Sequence, residues 1–221
     1  VIIRLHEEKS LWGRSACPYC KMQLAWYDLI PLLSFILQTG KCRYCKAHIS
    51  CQYPLVEFAT GVLFVLAALQ GTLIPTLLFL CVLIVTFVTD LRWNLIYDAV
   101  LIPGIIIALF SSIFLNYYST IPLSTIHSSL LAALLGGGVF ALQYAISNGQ
   151  WVGSGDIMLG AFLGLMLSYP VIIWALGLAY VSGALVALVL MSLGLKTRKD
   201  TLPLGCFLCA TGILLLLITT H

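Results

Sequence analysis

The feature that most constrains this sequence is a series of seven apolar runs that fills the chain from Pro54 onward. They cover residues 54–71, 74–91, 98–116, 125–146, 157–168, 170–194 and 202–219. Because lipid offers the backbone no hydrogen-bonding partner, such runs must form helices or a closed barrel, and the absence of period-two alternation favours helices. A helix needs about 20 residues to cross roughly 30 Å of hydrocarbon. We therefore predict an all-α polytopic membrane protein with about seven transmembrane helices, of which 157–168 is short for a span.

The composition supports the same class. Of the 221 residues, 61% are hydrophobic and 9% are charged, whereas soluble globular domains have roughly 45–50% and about 25%. These values exclude a soluble globular domain, a disordered chain, a coiled coil and a basic nucleic-acid-binding domain. The expected partner is therefore the lipid bilayer, and no nucleic acid is expected.

The positive charges predict the orientation. Residues 1–53 hold seven of the 11 Lys and Arg residues. With seven crossings, the loops at 92–97, 147–156 and 195–201 lie on the same side as 1–53, and they hold the other four: Arg92, Lys196, Arg198 and Lys199. The opposite loops hold none, which is the positive-inside pattern. We predict that 1–53 faces the cytoplasm, and we divide the chain into a module at 1–53 and a membrane domain at 54–221.

Two Cys-x-x-Cys motifs define the first module. Their four cysteines, separated in the middle by 21 residues, are Cys17, Cys20, Cys42 and Cys45. Two such knuckles close a tetrahedral four-sulfur site typical of structural zinc. Disulfides are the alternative, which a reducing cytoplasm disfavours. We predict a zinc site, with His48 at the surface.

The other cysteines indicate packing rather than chemistry. Cys206 and Cys209 lie inside an apolar run, where a free cysteine behaves as a small apolar residue. Cys51 and Cys81 are predicted to be buried as well.

Three carboxylates, Asp90, Asp98 and Asp156, lie at predicted cytoplasmic helix ends. Ionisable groups at the hydrocarbon boundary are costly, so each is a functional candidate. Asp98 and Asp156 each precede a helix and have helix capping as an alternative role. Asp90 lies at the C-terminal end of its helix, where the helix dipole disfavours negative charge. Its alternative is an ion pair with Arg92.

Two close carboxylates suit general acid–base chemistry. They cannot both ionise easily, so one can activate a water while the other protonates a carbonyl oxygen. This is aspartic peptide hydrolysis. The shared membrane face makes contact between Asp90 and Asp156 possible, and the sequence alone does not show it.

These residues resemble the type IV prepilin peptidases. The match includes Ser15-Ala-Cys-Pro-Tyr-Cys20, the stretch with Trp26, Asp28 and Pro31, Gly40-Lys-Cys-Arg-Tyr-Cys45 and Tyr53-Pro-Leu-Val-Glu57. It also includes two aspartate motifs: Asp90 with Asp98 eight residues on, and Gly153-Ser-Gly-Asp156. The resemblance extends over essentially the whole chain. The opening Val1-Ile-Ile-Arg4-Leu resembles the segment that comes directly after the family's first membrane helix. We therefore expect an eighth, N-terminal helix to precede residue 1.

The resemblance implies an intramembrane aspartic protease with Asp90 and Asp156 as the catalytic pair, whereas Asp98 matches an acidic position outside it. Such enzymes cut basic leaders from prepilins or pseudopilins at the cytoplasmic face of the bacterial inner membrane. Many also N-methylate the new amino terminus with S-adenosylmethionine, a second activity associated with the cysteine module. Gly40 and Glu57 are the candidates near that chemistry.

Three departures and two alternatives accompany the resemblance. Met158 replaces a frequent family lysine, Tyr97 replaces a proline, and Pro203-Leu-Gly205-Cys206 only partly keeps a Pro-Phe-Gly-Pro segment. One alternative is a methyltransferase without cleavage. The other is a zinc-tethered transporter or scaffold, against which the lack of an inverted repeat counts.

Overall fold

The structure is a computed structural model that describes residues 14–17, 19–70, 74–118, 124–197 and 202–219. Residues 1–5, which open the family resemblance, lie outside this range. So do Arg198 and Lys199, two of the charges that support the predicted orientation.

The described residues form eight α-helices, preceded by a short 3-10 helix at Trp26–Leu29. The helices are α1 (Leu33–Leu37), α2 (Gln52–Leu69), α3 (Ile74–Trp93), α4 (Asp98–Tyr118), α5 (Ser124–Ser147), α6 (Ser154–Leu167), α7 (Val171–Ser192) and α8 (Leu204–Thr219). Within the described part of the chain, the extended pairing consists of two isolated antiparallel bridges, both in the cysteine module. The predicted all-α class is confirmed, and each of the seven apolar runs becomes one helix, α2 to α8.

Among the described residues, four helices are long and apolar enough to cross a membrane: Gln52–Leu69, Ile74–Trp93, Ile126–Ser147 and Val171–Ser192. Asp98–Ile113, Ser154–Leu167 and Leu204–Thr219 are shorter apolar helices. At about 1.5 Å per residue, the 14 residues of α6 reach about 21 Å, which agrees with the prediction that the fifth run is short. The protein is a multi-pass membrane protein.

The chain divides into two compact units, Val1–Leu69 and Gln70–His221. The first unit holds the cysteine module together with α2. The composition changes earlier, near residue 53, and the predicted division into 1–53 and 54–221 remains a prediction about function.

Helix α6 lies at the centre of the second unit, where it contacts α4, α5, α7 and α8. Its Leu159, Phe162 and Leu163 are fully buried. Glycines bring α5 and α6 close together, since a Cβ on Gly160 would lie 2.6 Å from the carbonyl oxygen of Gly136. Small residues allow this close approach between membrane helices. The first residues of α6 are thereby fixed against the rest of the unit.

Candidate functional site

Asp90 lies in the last turn of α3 and is only 5% exposed. Its Oδ2 accepts a hydrogen bond of 2.7 Å from the backbone N–H of Cys206, at the start of α8. The thiol of Cys206 in turn donates to the carbonyl oxygen of Phe87, at 3.3 Å. The amino terminus of α8 therefore holds the Asp90 carboxyl group in place.

This contact resolves the electrostatic conflict that the sequence showed at Asp90. The carboxyl end of α3 disfavours a negative charge, whereas the amino end of α8 presents unpaired N–H groups and a positive dipole end. The alternative ion pair with Arg92 is not what holds Asp90 here: the Arg92 guanidinium lies over the ring of Trp93, at 5.2 Å. The compensating group is a backbone amide 116 residues away in sequence.

The position of the Asp90 carboxyl group close to α8 requires the absence of a side chain at Gly205. A Cβ at Gly205 would lie 2.8 Å from Asp90 Oδ2 and 3.1 Å from Ile96 Cδ1. Real Cβ atoms do not approach oxygen this closely, so a larger residue here would displace the carboxyl group. The segment Pro203-Leu-Gly205-Cys206 therefore both packs against the Asp90 carboxyl group and donates a hydrogen bond to it.

Asp156 lies in the first turn of α6 and is half-buried. Its Oδ2 accepts a hydrogen bond of 2.9 Å from the backbone N–H of Gly153. This bond is the capping interaction that the sequence offered as the alternative role. The capping bond uses only the Oδ2 atom of Asp156. The helix dipole also favours a negatively charged residue at this end of α6.

Ile96 lies between the segments that carry the neighbours of the two aspartates. It packs against both Gly205, beside Asp90, and Gly155, beside Asp156, where an added Cβ would lie 2.7 Å from Ile96 Cβ. The two aspartates therefore lie on either side of one apolar side chain. Two carboxyl groups can act as general acid and general base when a single water molecule contacts both of them.

Asp98 has a different environment. It is the first residue of α4 and is exposed to solvent. An exposed acid in the first turn interacts favourably with the helix dipole, so the position fits the capping alternative.

Tyr180 and Gln143 are near the site, and the sequence analysis did not select them. The Tyr180 hydroxyl and the Gln143 side-chain amide are hydrogen-bonded at 2.7 Å. Tyr180 also stacks on Phe140, with ring centroids 6.2 Å apart. The signal that could have found them is a polar side chain within an apolar run.

The four cysteines of the two knuckles form one cluster in the first unit. Their sulfur atoms all lie within 4.8 Å of one another, and those of Cys17 and Cys45 are 3.9 Å apart. Zinc–sulfur bonds of about 2.3 Å in a tetrahedron place sulfurs about 3.8 Å apart. The predicted cluster is confirmed as a set of residues that could hold zinc: Cys17, Cys20, Cys42 and Cys45.

The two knuckles repeat the same backbone structure. In the first, Cys17 N–H donates to Met22 and Lys21 N–H donates to Cys17. In the second, Cys42 and Lys46 make the equivalent bonds. Each loop is closed by one antiparallel bridge, and both lysines have a left-handed backbone, with φ of 60° and 61°. The sequence repeat is therefore a structural repeat that presents two thiols from each side.

The thiol pKa values of Cys17 and Cys45 are shifted in opposite directions within the cluster. Burial raises the pKa of Cys17, but hydrogen bonds from the backbone N–H groups of Cys20 and Tyr19 outweigh it and lower that pKa to about 7. At Cys45 a backbone hydrogen bond from Ala47 lowers the pKa, but desolvation and the neighbouring thiols raise it to about 11. Four thiolates at this spacing need a metal ion to balance their charge.

Gly40 and Glu57, predicted to lie near the methyltransferase chemistry, both have backbone contacts. Gly40 has a left-handed φ of 68°, and its carbonyl accepts from Ile49 N–H at 2.8 Å. Glu57 Oε2 accepts from Leu32 N–H at 2.9 Å. Leu32 itself has φ of 61°, a strained conformation for leucine. Their part in catalysis stays a prediction.

The burial predictions for the remaining cysteines and His48 were partly confirmed and partly wrong. Cys206 and Cys209 are buried as predicted, and His48 is exposed as predicted. The expectation that Cys51 and Cys81 are buried was wrong, since both are exposed. Cys81 lies on an outward face of α3, which in a membrane protein is a suitable place for an apolar thiol.

Comparison with known proteins gives two family matches along the chain. Residues 1–71 match the bacterial peptidase A24 N-terminal domain, and residues 77–188 match the type IV leader peptidase family. The second match includes both Asp90 and Asp156. No solved structure matches the chain.

Several curated relatives carry the name prepilin leader peptidase/N-methyltransferase. The chain is 33% identical to the one from Bacillus subtilis, over 91% of this chain and 80% of the relative. It is 30% identical to that of Burkholderia pseudomallei (strain 1026b), over 90% of this chain and 65% of the relative. With the Myxococcus xanthus relative the identity is 30%, over 86% of this chain and 58% of that protein. The chain thus spans under two thirds of the length of the latter two.

Proposed function

The chain belongs to the type IV leader peptidase family, and from this membership we propose that it cleaves the basic leader from prepilins or pseudopilins. The observation that carries the proposal is the placement of Asp90 and Asp156. Both lie at ends of apolar helices, and Ile96 packs against a glycine beside each of them, Gly205 and Gly155. Placing two acids at the membrane boundary costs free energy, so their presence there indicates a function.

The proposed reaction uses Asp90 and Asp156 as a general acid–base pair. The ionised carboxylate takes a proton from a water, and the oxygen of that water attacks the scissile carbonyl carbon. The protonated carboxyl group gives its proton to the carbonyl oxygen. When the tetrahedral intermediate collapses, the first carboxyl group gives the proton it took from the water to the leaving nitrogen and the C–N bond breaks. The second carboxylate takes a proton from a hydroxyl of the intermediate, which restores both groups. The Cys206 N–H, which holds one Asp90 oxygen, orients that carboxyl group for the exchange.

A second proposed activity is N-methylation of the new amino terminus. The names of the relatives and the match of residues 1–71 support it. S-adenosylmethionine would supply the methyl group, and Gly40 and Glu57 remain the candidates for residues near it. The four-cysteine cluster would hold zinc in a structural role, because four sulfur ligands leave no position open for substrate.

We propose that the protein lies in the bacterial cytoplasmic membrane, with residues 1–53 and the aspartates at the cytoplasmic face. The distribution of Lys and Arg supports this orientation. A prepilin has a basic leader followed by an apolar helix, so its scissile bond would be at the same membrane boundary as Asp90 and Asp156.

The experiment that tests the proposal is incubation of the purified protein, reconstituted in lipid, with a prepilin and S-adenosylmethionine. Mass spectrometry of the product separates three outcomes. Loss of the leader with gain of one methyl group supports both activities. Methylation of a pre-cleaved pilin without cleavage of the prepilin would identify a methyltransferase only. Neither change would favour a transporter or scaffold.

A further inference from the structure

The segment at 26–37 of the first unit has its polar and apolar groups reversed relative to a water-soluble module. Its single charged side chain, Asp28, is only 2% exposed. The Asp28 carboxylate accepts hydrogen bonds of 2.9 Å from both Gln38 Nε2 and Arg43 Nε, and one of 3.2 Å from Ala25 N–H. The charge is thus turned inward and fully bonded.

The apolar side chains of the segment point outward instead. Trp26 is 77% exposed, Ile36 67% and Leu37 72%. The other large apolar side chains exposed in the segment are Tyr27, Leu29, Ile30 and Leu33. Contiguous exposed apolar surface of this kind marks an interaction site.

A hydrogen bond ties this segment to the start of α2. The N–H of Leu32, in the middle of the segment, donates to Glu57 Oε2 at 2.9 Å. Glu57 is the sixth residue of α2, about 7.5 Å along the helix axis from its first residue. Because the 18 residues of α2 are just long enough to cross the hydrocarbon, its first turns lie at the membrane boundary. The segment is therefore held beside the first turns of α2, at the end of that helix which meets the membrane boundary.

The surface of α2 next to this tether is itself exposed and apolar. Leu55 is 67% exposed and Phe58 57% exposed, and only 6% of the apolar window of α2 is buried within the protein. The exposed face of the segment therefore continues a surface that already faces lipid. The lysines in the described part of this unit, Lys21, Lys41 and Lys46, are all exposed in the two knuckles that flank the segment in sequence.

From these observations we infer that segment 26–37 is an interfacial anchor, which inserts Trp26, Ile36 and Leu37 into the lipid on the membrane face where α2 begins. The occupant of the exposed apolar surface is lipid. Tryptophan at the headgroup level and apolar side chains below it are typical of such anchors. The anchor keeps the cysteine module against the membrane, and the inference does not depend on the proposed enzymatic activity.

Tryptophan fluorescence in lipid nanodiscs tests this inference. The signal of Trp26 is obtained as the difference between the wild-type chain and the Trp26→Phe variant. Brominated phospholipid should quench it at least about twofold more than iodide in the water does, because interfacial tryptophan lies among the headgroups. Stronger quenching by iodide would place Trp26 in water and overturn the inference. Quenching by neither would mean that protein covers it, which overturns the inference as well.

A matched pair of variants adds a second measurement. Ile36→Ser combined with Leu37→Ser removes the apolar contacts, and should reduce quenching of Trp26 by brominated lipid by about half, since binding strength follows buried apolar area. The control is Leu193→Ser combined with Leu195→Ser, two leucines of the second unit that are exposed to a similar extent, 65% and 68%. The control should leave the Trp26 signal unchanged. An equal effect of both pairs, or no effect of the first, contradicts the anchor.

Discussion

At the scale of single residues, a backbone group, the N–H of Cys206, holds the side chain of Asp90 in the candidate site. It donates to Asp90 at 2.7 Å and so stabilises the ionised carboxylate. The Pro-Phe-Gly-Pro segment that the resemblance implies would place proline at this position, and proline has no N–H to donate.

The variant Cys206→Pro should change the pH dependence of cleavage. Proline is tolerated in the first turn of a helix, so α8 should still form while Asp90 loses its donor. A hydrogen bond to a charged group is worth about 1.5–3 kcal/mol, so we expect the acid limb of the cleavage profile to move upward by about one to two pH units. Cys206→Ala keeps the N–H and serves as the control. Identical profiles for the two variants would show that the bond does not tune Asp90.

Gly205→Ala should reduce cleavage at least about 100-fold, because displacing a catalytic group by about 1 Å costs that much. The added Cβ would lie 2.8 Å from Asp90 Oδ2 and must push the carboxyl group off its donor. The measurement is the initial rate of leader removal, with folding checked by circular dichroism.

Gly177→Ala is the matched control for this change. Gly177 is also in an apolar helix, and nothing lies within 4 Å of a Cβ placed on it. It should cleave at the wild-type rate. If Gly205→Ala also cleaves at the wild-type rate, the close packing of Gly205 does not position Asp90.

The residue types of the site could be predicted from the sequence, but their contacts could not. Asp90 and Asp156 stand out because charge is rare in the apolar runs. The donor to Asp90 is a backbone group, which every residue except proline has, so no letter in the sequence marks it. The exposed Cys51 and Cys81 were predicted incorrectly: Cys51 lies in the turn before α2, and Cys81 lies on a face of α3 that the apolar run does not distinguish from its buried face.

At the scale of elements, the helices agree closely with the apolar runs. The run 74–91 became Ile74–Trp93, and 202–219 became Leu204–Thr219. The partners of each helix could not be predicted in this way, because a run that is apolar all round does not show which face packs on protein. The central place of α6 depends instead on the close approach of Gly136 and Gly160.

The knuckles give an element-scale prediction about metal. The purified protein should contain one zinc ion per chain, and Cys42→Ser should lose it, because removal of one thiolate opens the four-sulfur site. Elemental analysis by mass spectrometry measures the metal content. Cys51→Ser, a change of the same kind at an exposed cysteine outside the cluster, should keep the zinc. Equal zinc in both variants would contradict the assignment.

At the scale of the whole molecule, the chain combines two kinds of site in two compact units. The first unit holds the four-cysteine cluster and the second holds Asp90 and Asp156. Motif spacing alone predicted the cluster. For the aspartate pair, topology suggested a shared membrane face, and the folded structure adds that Ile96 packs beside both residues. The family matches have the same division, at residues 1–71 and 77–188.

The central claim is that Asp90 and Asp156 act together as the catalytic pair. The most direct measurement is cleavage of a prepilin by the reconstituted wild-type protein and by Asp90→Asn, Asp156→Asn and Asp98→Asn. Asparagine still accepts a hydrogen bond from Cys206 or Gly153, so folding should be retained while proton transfer is lost. We expect each of the first two variants to lose at least about 100-fold in rate, and the exposed Asp98→Asn control to cleave normally. Near-normal cleavage by a folded Asp90→Asn or Asp156→Asn variant would contradict the pair.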